Sequence, residues 1–234
     1  MKSLSSDRAL VLLSGGQDSC TCLHWALKKY KHVEALSVDY GQLHKRELDC
    51  AKALAQSMKV PWKKISLPLG GLSESTLLEN TKHDRNSPHR REGDPADGAK
   101  LGDDGLPLTF VPGRNLLFLV AAGAVAYTHE CGVLVTGVCQ TDYSGYPDCR
   151  DNTMRSMEKT LQLGLECDIR IETPLMNLTK AQTVLLLKDL GGLASLAHTH
   201  TCYAGAHPPC GVCVACELRA KGFKEAGIPD PLTA

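Results

Sequence analysis

The sequence predicts an open α/β fold in which a mostly parallel, doubly wound sheet carries helices on both faces. The first observation is that short apolar runs, typical of buried strands, alternate with amphipathic helical segments along the chain. The second is that glycine-containing or polar turns follow these apolar runs directly. The 234 residues suit one large domain, which we expect to cover residues 1–234.

The predicted elements follow one another in a strand–helix order with no internal repeat. The predicted strands cover residues 8–13, 33–38, 62–67, 133–137 and 169–172. The predicted helices cover residues 21–30, 47–58, 116–127, 153–163 and 180–190. The helix at 116–127 is apolar almost all round, so we expect it to be buried.

Residues 80–108 interrupt this alternation. The segment is rich in charged residues, glycine and proline and shows little periodicity. It is either a solvated surface insertion or a lid over an active site.

Composition excludes several broad classes of protein. Hydrophobic residues make up 43% and charged residues 22%, which is typical of a globular domain. Lys plus Arg and Asp plus Glu both number 26, which argues against a broad nucleic-acid surface. Apolar runs are too short for a membrane helix or a signal-peptide core. We therefore expect a cytoplasmic protein with no membrane and no direct nucleic-acid partner. There, clustered cysteines among the eleven are expected to be metal ligands or catalytic thiols rather than disulfides.

A glycine turn follows the first predicted strand with the sequence SGGQDS. Two glycines allow a tight turn, and the free N–H groups of the following helix favour an anion. The turn has neither the P-loop spacing nor GxGxxG. The candidate phosphate-binding residues are Ser14, Gly15, Gly16, Gln17, Asp18 and Ser19.

Four cysteines near the carboxyl end of the sequence have the spacing C-x7-C-x2-C-x2-C. Four thiolates suit a closed, tetrahedral zinc site of the structural type, and an iron–sulfur cluster is the alternative. The predicted ligands are Cys202, Cys210, Cys213 and Cys216, which would hold one Zn²⁺ per chain within a metal-binding segment at 198–224.

Polar residues after the later strands predict a site for a flat, anionic molecule. Arg114 lies near the start of a predicted helix, where a cation is unfavourable unless an anion lies beside it. The loop after the fourth strand offers acidic residues for donor groups, tyrosines for stacking and a further cation. The candidate substrate-binding residues are Arg114, Asp142, Tyr143, Asp148 and Arg150, with Tyr146 as the alternative stacking residue and Lys180 as a further cation. In the alternative interpretation, the two aspartates only shape the loop.

The SGGxDS string after an apolar strand resembles the pyrophosphate loop of the ATP pyrophosphatases, which activate an oxygen by adenylation. The resemblance implies an adenine-nucleotide α-hydrolase-like sheet and ATP with Mg²⁺. The candidate catalytic residues are Asp18, which would orient the loop or the Mg²⁺, and the cations Arg114 and Lys180, which would hold an anion. Asp39, Tyr40 and Gly41 follow the second strand, where they would meet adenine and ribose. The alternative there is a simple strand-to-helix turn.

The resemblance extends over most of the chain to a branch of this family that serves queuosine and other deazapurine pathways. It is carried by six segments in order: SGGQDS, VDYGQLH, FVPGRN, TGVCQTDYSGYPDCRD, TPLMNLTKA and TCY…CGVCVACELRAKG. It implies ATP-dependent conversion of 7-carboxy-7-deazaguanine and ammonia to 7-cyano-7-deazaguanine, through an adenylate and an amide, by a homodimer. Alternatives are another ATP-loop amidating or tRNA-modifying enzyme, which could use Cys139 or Cys149 as a thiol, and a non-enzymatic zinc-ribbon module.

Overall fold

Strand β1 (Ser5–Leu12) is the centre of a five-stranded sheet in the computed structural model. The structure describes residues 1–42, 45–73, 75, 77–78, 105–140 and 146–233. The other strands are β2 (His32–Asp39), β3 (Trp62–Ser66), β4 (Cys131–Val135) and β5 (Arg170–Glu172). The helices are α1 (Gln17–Lys29), α2 (Arg46–Ser57), α3 (Arg114–Thr128), α4 (Asp151–Leu165), α5 (Lys180–Asp189) and α6 (Val214–Ala226).

The sheet has the order β3-β2-β1-β4-β5, and every adjacent pair is parallel. The chain builds one side of the sheet as far as β3 and then crosses to the other side with β4. The carboxyl ends of β1 and β4 are therefore adjacent, with Val11 paired to Val135. Ligands of open α/β sheets bind at such a change of direction.

Side chains alternate between two helical layers, as the period of a strand requires. Leu10, Leu36 and Leu134 pack with the core residues of α3 and α4. Ala9, Val11, Val133 and their neighbours pack instead with α1 and α2. The predicted doubly wound α/β fold is confirmed, and the ten predicted elements are present with bounds that differ by a few residues.

Helix α6 was not predicted and packs outside the main layers against α5. Phe223 of α6 and Leu187 of α5 share a buried cluster with Leu54 of α2. A Cβ added to Gly222 would lie 2.7 Å from the Cβ of Lys180, so the absence of a side chain lets α6 approach the start of α5.

The prediction that the helix at 116–127 is buried is wrong for one face of α3. Leu119, Ala122 and Ala126 lie in the core. Leu117, Val120 and Tyr127 are 37%, 50% and 36% exposed on the opposite face. A helix that is apolar all round does not distinguish its core face from its surface face by sequence.

Two expectations depend on parts of the chain that the structure describes only partly or not at all. Of the segment at 80–108, only residues 105–108 are described, so the proposed lid lies almost wholly outside the described residues. Within the described part, no helix has both the length and the hydropathy that crossing a membrane requires.

Candidate active site

A cavity of about 340 Å³ lies at the carboxyl ends of β1, β2 and β4. Its floor includes Leu12, Val38 and Thr136, which lie at or near the ends of these strands. Its volume is within the range of sites for small molecules, about 300–1,000 Å³. The cavity therefore lies at the predicted edge of the sheet, and it has two chemically different ends.

The glycine turn forms one end of the cavity. Gly16 is the N-cap of α1, and no side chain among the described residues caps this helix, so its first N–H groups can bind a ligand. The serine hydroxyls shape the turn itself: Ser19 Oγ accepts a hydrogen bond from Gly15 N (3.2 Å), and Ser14 Oγ accepts one from Gly16 N (3.3 Å).

Gly15 is held between α2 and the segment that leads to the cysteines. Its φ is +92°, and a Cβ at this position would overlap the carbonyl oxygen of Glu47. From the other side, the backbone N–H of His200 donates to Gly15 O at 2.9 Å. The turn therefore has a fixed position and no room for a side chain at Gly15.

Several buried polar atoms at this end have no partner among the described residues. They are Gln17 Nε2, Asp18 Oδ1 and Thr201 Oγ1, and all three residues line the cavity. The other carboxylate oxygen of Asp18 accepts from Lys180 Nζ at 2.5 Å. Because buried polar atoms in native proteins are almost always hydrogen-bonded, these atoms indicate a place for a polar ligand. We call Gly16–Ser19, Lys180 and Thr201 the loop end.

Aromatic rings surround Arg114 at the other end. The guanidinium lies 5.7 Å from the ring centre of Tyr40 and 5.8 Å from that of Tyr146, within cation–π range. Its Nη1 donates to Tyr40 Oη at 3.5 Å, and Phe118 packs against Tyr40 with ring centres 5.3 Å apart. We call Tyr40, Arg114, Phe118 and Tyr146 the aromatic end.

A carboxylate of the protein itself explains why Arg114 is tolerated at the start of α3. Asp148 Oδ2 accepts from the backbone N–H of Asn115 at 3.0 Å, and Asp148 is buried. A negative charge near the first N–H groups stabilises a helix and offsets the neighbouring cation. The anion predicted beside Arg114 is thus at least partly supplied by Asp148.

The four cysteines predicted as ligands come together beside the cavity. The sulfurs of Cys202, Cys210, Cys213 and Cys216 all lie within 4.8 Å of one another. A tetrahedral four-thiolate zinc site has sulfurs about 3.8 Å apart, so the cluster is close to the required size. Desolvation opposes the thiolate of Cys210, but hydrogen bonds from the backbone N–H groups of Val212 and Cys213 and from the Cys202 and Cys213 side chains together lower its pKa to about 7. The donor set therefore fits a thiophilic metal ion.

Arg219 of α6 closes the cavity wall next to this cluster. Its guanidinium donates to both carboxylate oxygens of Asp230 at 2.6 and 2.7 Å, and to Thr199 Oγ1 at 2.8 Å. Arg219 is 5% exposed, so this is a buried, bidentate ion pair.

Comparison with known proteins decides the family. Residues 8–227 match the family described as queuosine biosynthesis protein QueC. The chain belongs to the QueC family.

Relatives within the QueC family cover nearly the whole chain. The 7-cyano-7-deazaguanine synthase of Chromobacterium violaceum is 51% identical over 234 residues, which is 99% of this chain and 95% of that protein. The 7-cyano-7-deazaguanine synthase of Laribacter hongkongensis is 50% identical over 227 residues, which is 97% of this chain and 94% of that protein. A solved 4-thiouridine synthetase–RNA complex with bound ATP aligns at a TM-score of 0.49 and 15% identity, over 94% of this chain and 50% of that one.

The QueC-family structure brings together some of the predicted residues and separates others. Asp18, Tyr40, Arg114 and Lys180 line one cavity. Asp39 lies on the opposite face of β2 from Val38 and Tyr40, where its carboxylate accepts from Lys64 Nζ at 3.3 Å.

Residues of the predicted specificity loop are also separated. Arg150 is exposed at the start of α4, and neither it nor Asp148 is among the described residues that line the cavity. Asp142 and Tyr143 lie outside the described residues. Tyr146, the alternative stacking residue, is in the cavity wall.

Sequence reasoning missed Glu47, Thr201 and Tyr203, which also line the cavity. Burial raises the pKa of Glu47 to about 7, although the positive charge of Arg114 opposes the rise. Glu47 lies on the first turn of an amphipathic helix and resembles an ordinary surface carboxylate in the sequence. Thr201 and Tyr203 flank the first cysteine of the cluster, and this adjacency was the one signal that could have revealed them.

Proposed function

We propose that this QueC-family protein is an ATP-dependent ligase that forms a C–N bond. It converts 7-carboxy-7-deazaguanine and ammonia to 7-cyano-7-deazaguanine. The observation that carries the proposal is the match of residues 8–227 to the QueC family, whose similar members bear the name 7-cyano-7-deazaguanine synthase. The two ends of the cavity support it, because one suits phosphate and the other a flat heterocycle.

The reaction removes two oxygens from one carbon, and each must first become a good leaving group. A carboxylate oxygen attacks the α-phosphorus of ATP and pyrophosphate leaves. Ammonia then attacks the acyl carbon, AMP leaves and a proton is released, which gives the amide. The amide oxygen then attacks the α-phosphorus of a second ATP and pyrophosphate leaves. Loss of AMP and of both nitrogen-bound protons gives the nitrile.

Residues of the loop end would bind the phosphates. The N–H groups at the start of α1, the amide nitrogen of Gln17 and the ammonium of Lys180 can stabilise the charge that develops on departing pyrophosphate. Asp18 offers a buried carboxylate oxygen without a described partner, which is a ligand type that Mg²⁺ prefers. When bound, Mg²⁺ would neutralise phosphate charge.

The aromatic end would hold the deazaguanine. Rings of Tyr40 and Tyr146 offer faces for a planar heterocycle, and Arg114 between them can bind the carboxylate that is to be adenylated. Asp148 supports this end indirectly through the N-terminus of α3. Recognition of the guanine edge by Asp142, with stacking by Tyr143, remains a prediction.

Product analysis tests the function. Full-length protein with 7-carboxy-7-deazaguanine, ATP and ammonium should form the nitrile and about two AMP per nitrile, as detected by mass spectrometry and chromatography. The amide supplied directly should be converted with ATP and without ammonium. Failure to form a nitrile would refute the function, and failure to use the amide would refute the two-step route.

A sulfur-transferring enzyme of the same ATP-loop class is the weaker alternative. A catalytic thiol needs a depressed pKa. Burial instead raises the pKa of Cys149 in the cavity to about 12. This speaks against a role of Cys149 as a nucleophile in tRNA modification.

We propose that the cysteine cluster binds one structural Zn²⁺ per chain. Four thiolates leave no open position on a tetrahedral ion, and Cys213 and Cys216 also anchor the start of α6. Metal analysis should find one zinc per chain, and Cys213→Ser should lower the melting temperature and the zinc content together. An iron–sulfur absorbance band would overturn the assignment.

We further propose that the protein is a cytoplasmic homodimer. Its two subunits contact each other through the exposed face of α3. Leu117, Val120 and Tyr127 form an apolar stripe there, and a second copy of the chain could cover it. Val120→Glu should give a monomer by light scattering. Leu72→Glu, at a leucine after β3 that is 68% exposed against 50% for Val120, is the control. A wild-type monomer would end this proposal.

A further inference from the structure

We propose that Thr201 binds phosphate, so that the metal-binding segment supplies one wall of the nucleotide site. This rests on the nucleotide site of the proposed function and adds to it a residue that precedes the first ligand, Cys202. The argument depends on where Thr201 lies, on what its hydroxyl lacks and on what fixes its position.

Thr201 lies directly across from the glycine turn. A Cβ built on Gly16 would be 3.7 Å from Thr201 Cγ2 and 3.6 Å from the carbonyl oxygen of His200. The residue before Thr201 is hydrogen-bonded to the turn through His200 N and Gly15 O at 2.9 Å. The turn and the segment therefore form two sides of one narrow part of the cavity.

The hydroxyl of Thr201 is buried and has no hydrogen-bond partner among the described residues. Leaving a buried hydroxyl unsatisfied costs stability, so folding alone does not explain it. Gln17, which is only 2% exposed, presents a second unpartnered group, its Nε2, to the same cavity. Two buried donors beside the free N–H groups of α1 suit a ligand made of acceptor oxygens, which is the chemistry of a phosphate chain.

The neighbouring Thr199 shows what a satisfied hydroxyl looks like in the same segment. Its Oγ1 donates to Leu196 O at 2.7 Å and accepts from Arg219 Nη1 at 2.8 Å. Thr199 is thus a structural threonine, whereas Thr201 has its hydroxyl available for a ligand.

Cys202 fixes the backbone next to Thr201 when the cluster binds its metal. The metal would therefore affect nucleotide affinity without touching the nucleotide, because it holds one wall at a set distance from the turn. The segment has two roles, since one residue binds the metal and the preceding residue binds phosphate.

Isothermal titration of the full-length, metal-loaded protein with ATP and with inorganic pyrophosphate tests this inference. Thr201→Val keeps the shape and removes the hydroxyl, and should weaken both ligands about tenfold. Thr201→Ser keeps the hydroxyl and should stay within about threefold of the wild type. Zinc content should be unchanged in both variants.

Thr199→Val is the matched control, because it should lower the melting temperature and leave ATP affinity unchanged. Wild-type affinity in Thr201→Val, or an equal loss in Thr201→Ser, would overturn the role of the hydroxyl. A wild-type protein that binds neither ATP nor pyrophosphate would overturn the nucleotide site itself, and the two failures are thus distinguishable.

Discussion

The two ends of the cavity differ in whether their polar groups have hydrogen-bond partners within the described part of the protein. At the loop end, Gln17, Asp18 and Thr201 each keep a buried polar atom without a described partner. At the aromatic end, Arg114 donates to Tyr40, and the hydroxyl of Tyr146 is hydrogen-bonded to Thr109 Oγ1 at 2.5 Å. One end is arranged for a ligand that brings acceptors, and the other presents ring faces whose polar groups are already engaged.

Because their polar groups differ in this way, the two ends of the cavity should recognise their ligands by different interactions. Binding at the loop end would be driven by hydrogen bonds and charge that folding leaves unmet, so small steric changes there should have large effects. Binding at the aromatic end would depend on planar contact and on one cation. Changes to its supporting hydrogen bonds should therefore act first on stability.

The largest expected effect comes from Gly15→Ala in the glycine turn, next to the loop end. The positive φ and the overlap of the new Cβ with the Glu47 carbonyl oxygen together should destabilise the native turn by about 2–6 kcal/mol. We expect ATP binding to be lost in calorimetry. Gly16→Ala, whose Cβ would have only ordinary contacts of 3.5 Å or more with the protein, should leave the turn in place and bind ATP more tightly than Gly15→Ala does. Equal ATP affinity in the two variants would contradict this account of the turn.

An effect of intermediate size is expected from the ionisation of Glu47, which should make the free energy of unfolding depend on pH. The backbone of Glu47 supports the turn, and its side chain lines the cavity. Its pKa is about 7 in the folded protein, above the ordinary value of 4.5, because burial disfavours the carboxylate. As the pH rises, the carboxyl group therefore loses its proton in the unfolded state before it does so in the folded state. The free energy of unfolding falls as the pH rises from about 4.5 to 7, because ionisation favours the unfolded state over that range. The loss is at most about 3.5 kcal/mol, at about 1.4 kcal/mol per pKa unit.

Chemical denaturation from pH 4.5 to pH 8 measures this effect in the wild type and in Glu47→Gln. The glutamine variant should lose less stability over that range than the wild type. Identical pH profiles for the two proteins would show that Glu47 ionises normally.

The smallest effect is expected from Asp148→Ala at the aromatic end. Loss of the hydrogen bond to Asn115 N and of the charge near α3 should lower the free energy of unfolding by about 1 kcal/mol. ATP affinity should not change. Arg150→Ala, at the exposed neighbour, is the control and should be neutral. A variant with wild-type stability and weaker deazaguanine binding would restore the direct role predicted from sequence.

Most of the loop end, though not Thr201, could be predicted from sequence because its chemistry is local. The turn is six consecutive residues after a strand, and the cysteine spacing brings its four sulfurs together within a short segment. Lys180 was also predicted, although its contact with Asp18 joins residues far apart in the chain. Lys180 and the glycine turn each follow a predicted strand, and the carboxyl ends of parallel strands lie at the same edge of the sheet.

The aromatic end was less predictable because it depends on contacts between distant segments. The bond from Asn115 N to Asp148 decides where that carboxylate points, and no local pattern marks it. The position of Asp39 depends on strand phase, since one residue along β2 turns a side chain to the other face. The exposed stripe of α3 was missed because apolar residues occupy both of its faces.

The ion pair of Arg219 and Asp230 ties the stretch that follows α6 to a residue of the cavity wall. Cleavage between these two residues, by a protease or by truncation of the gene, would remove the carboxylate that neutralises a buried guanidinium. Breaking such a pair from one side costs about 3–5 kcal/mol. The sheet would retain its strand pairings, but the wall would lose its anchor beside the cysteine cluster. A preparation clipped after residue 228 would thus be folded in its sheet and damaged in its ligand site.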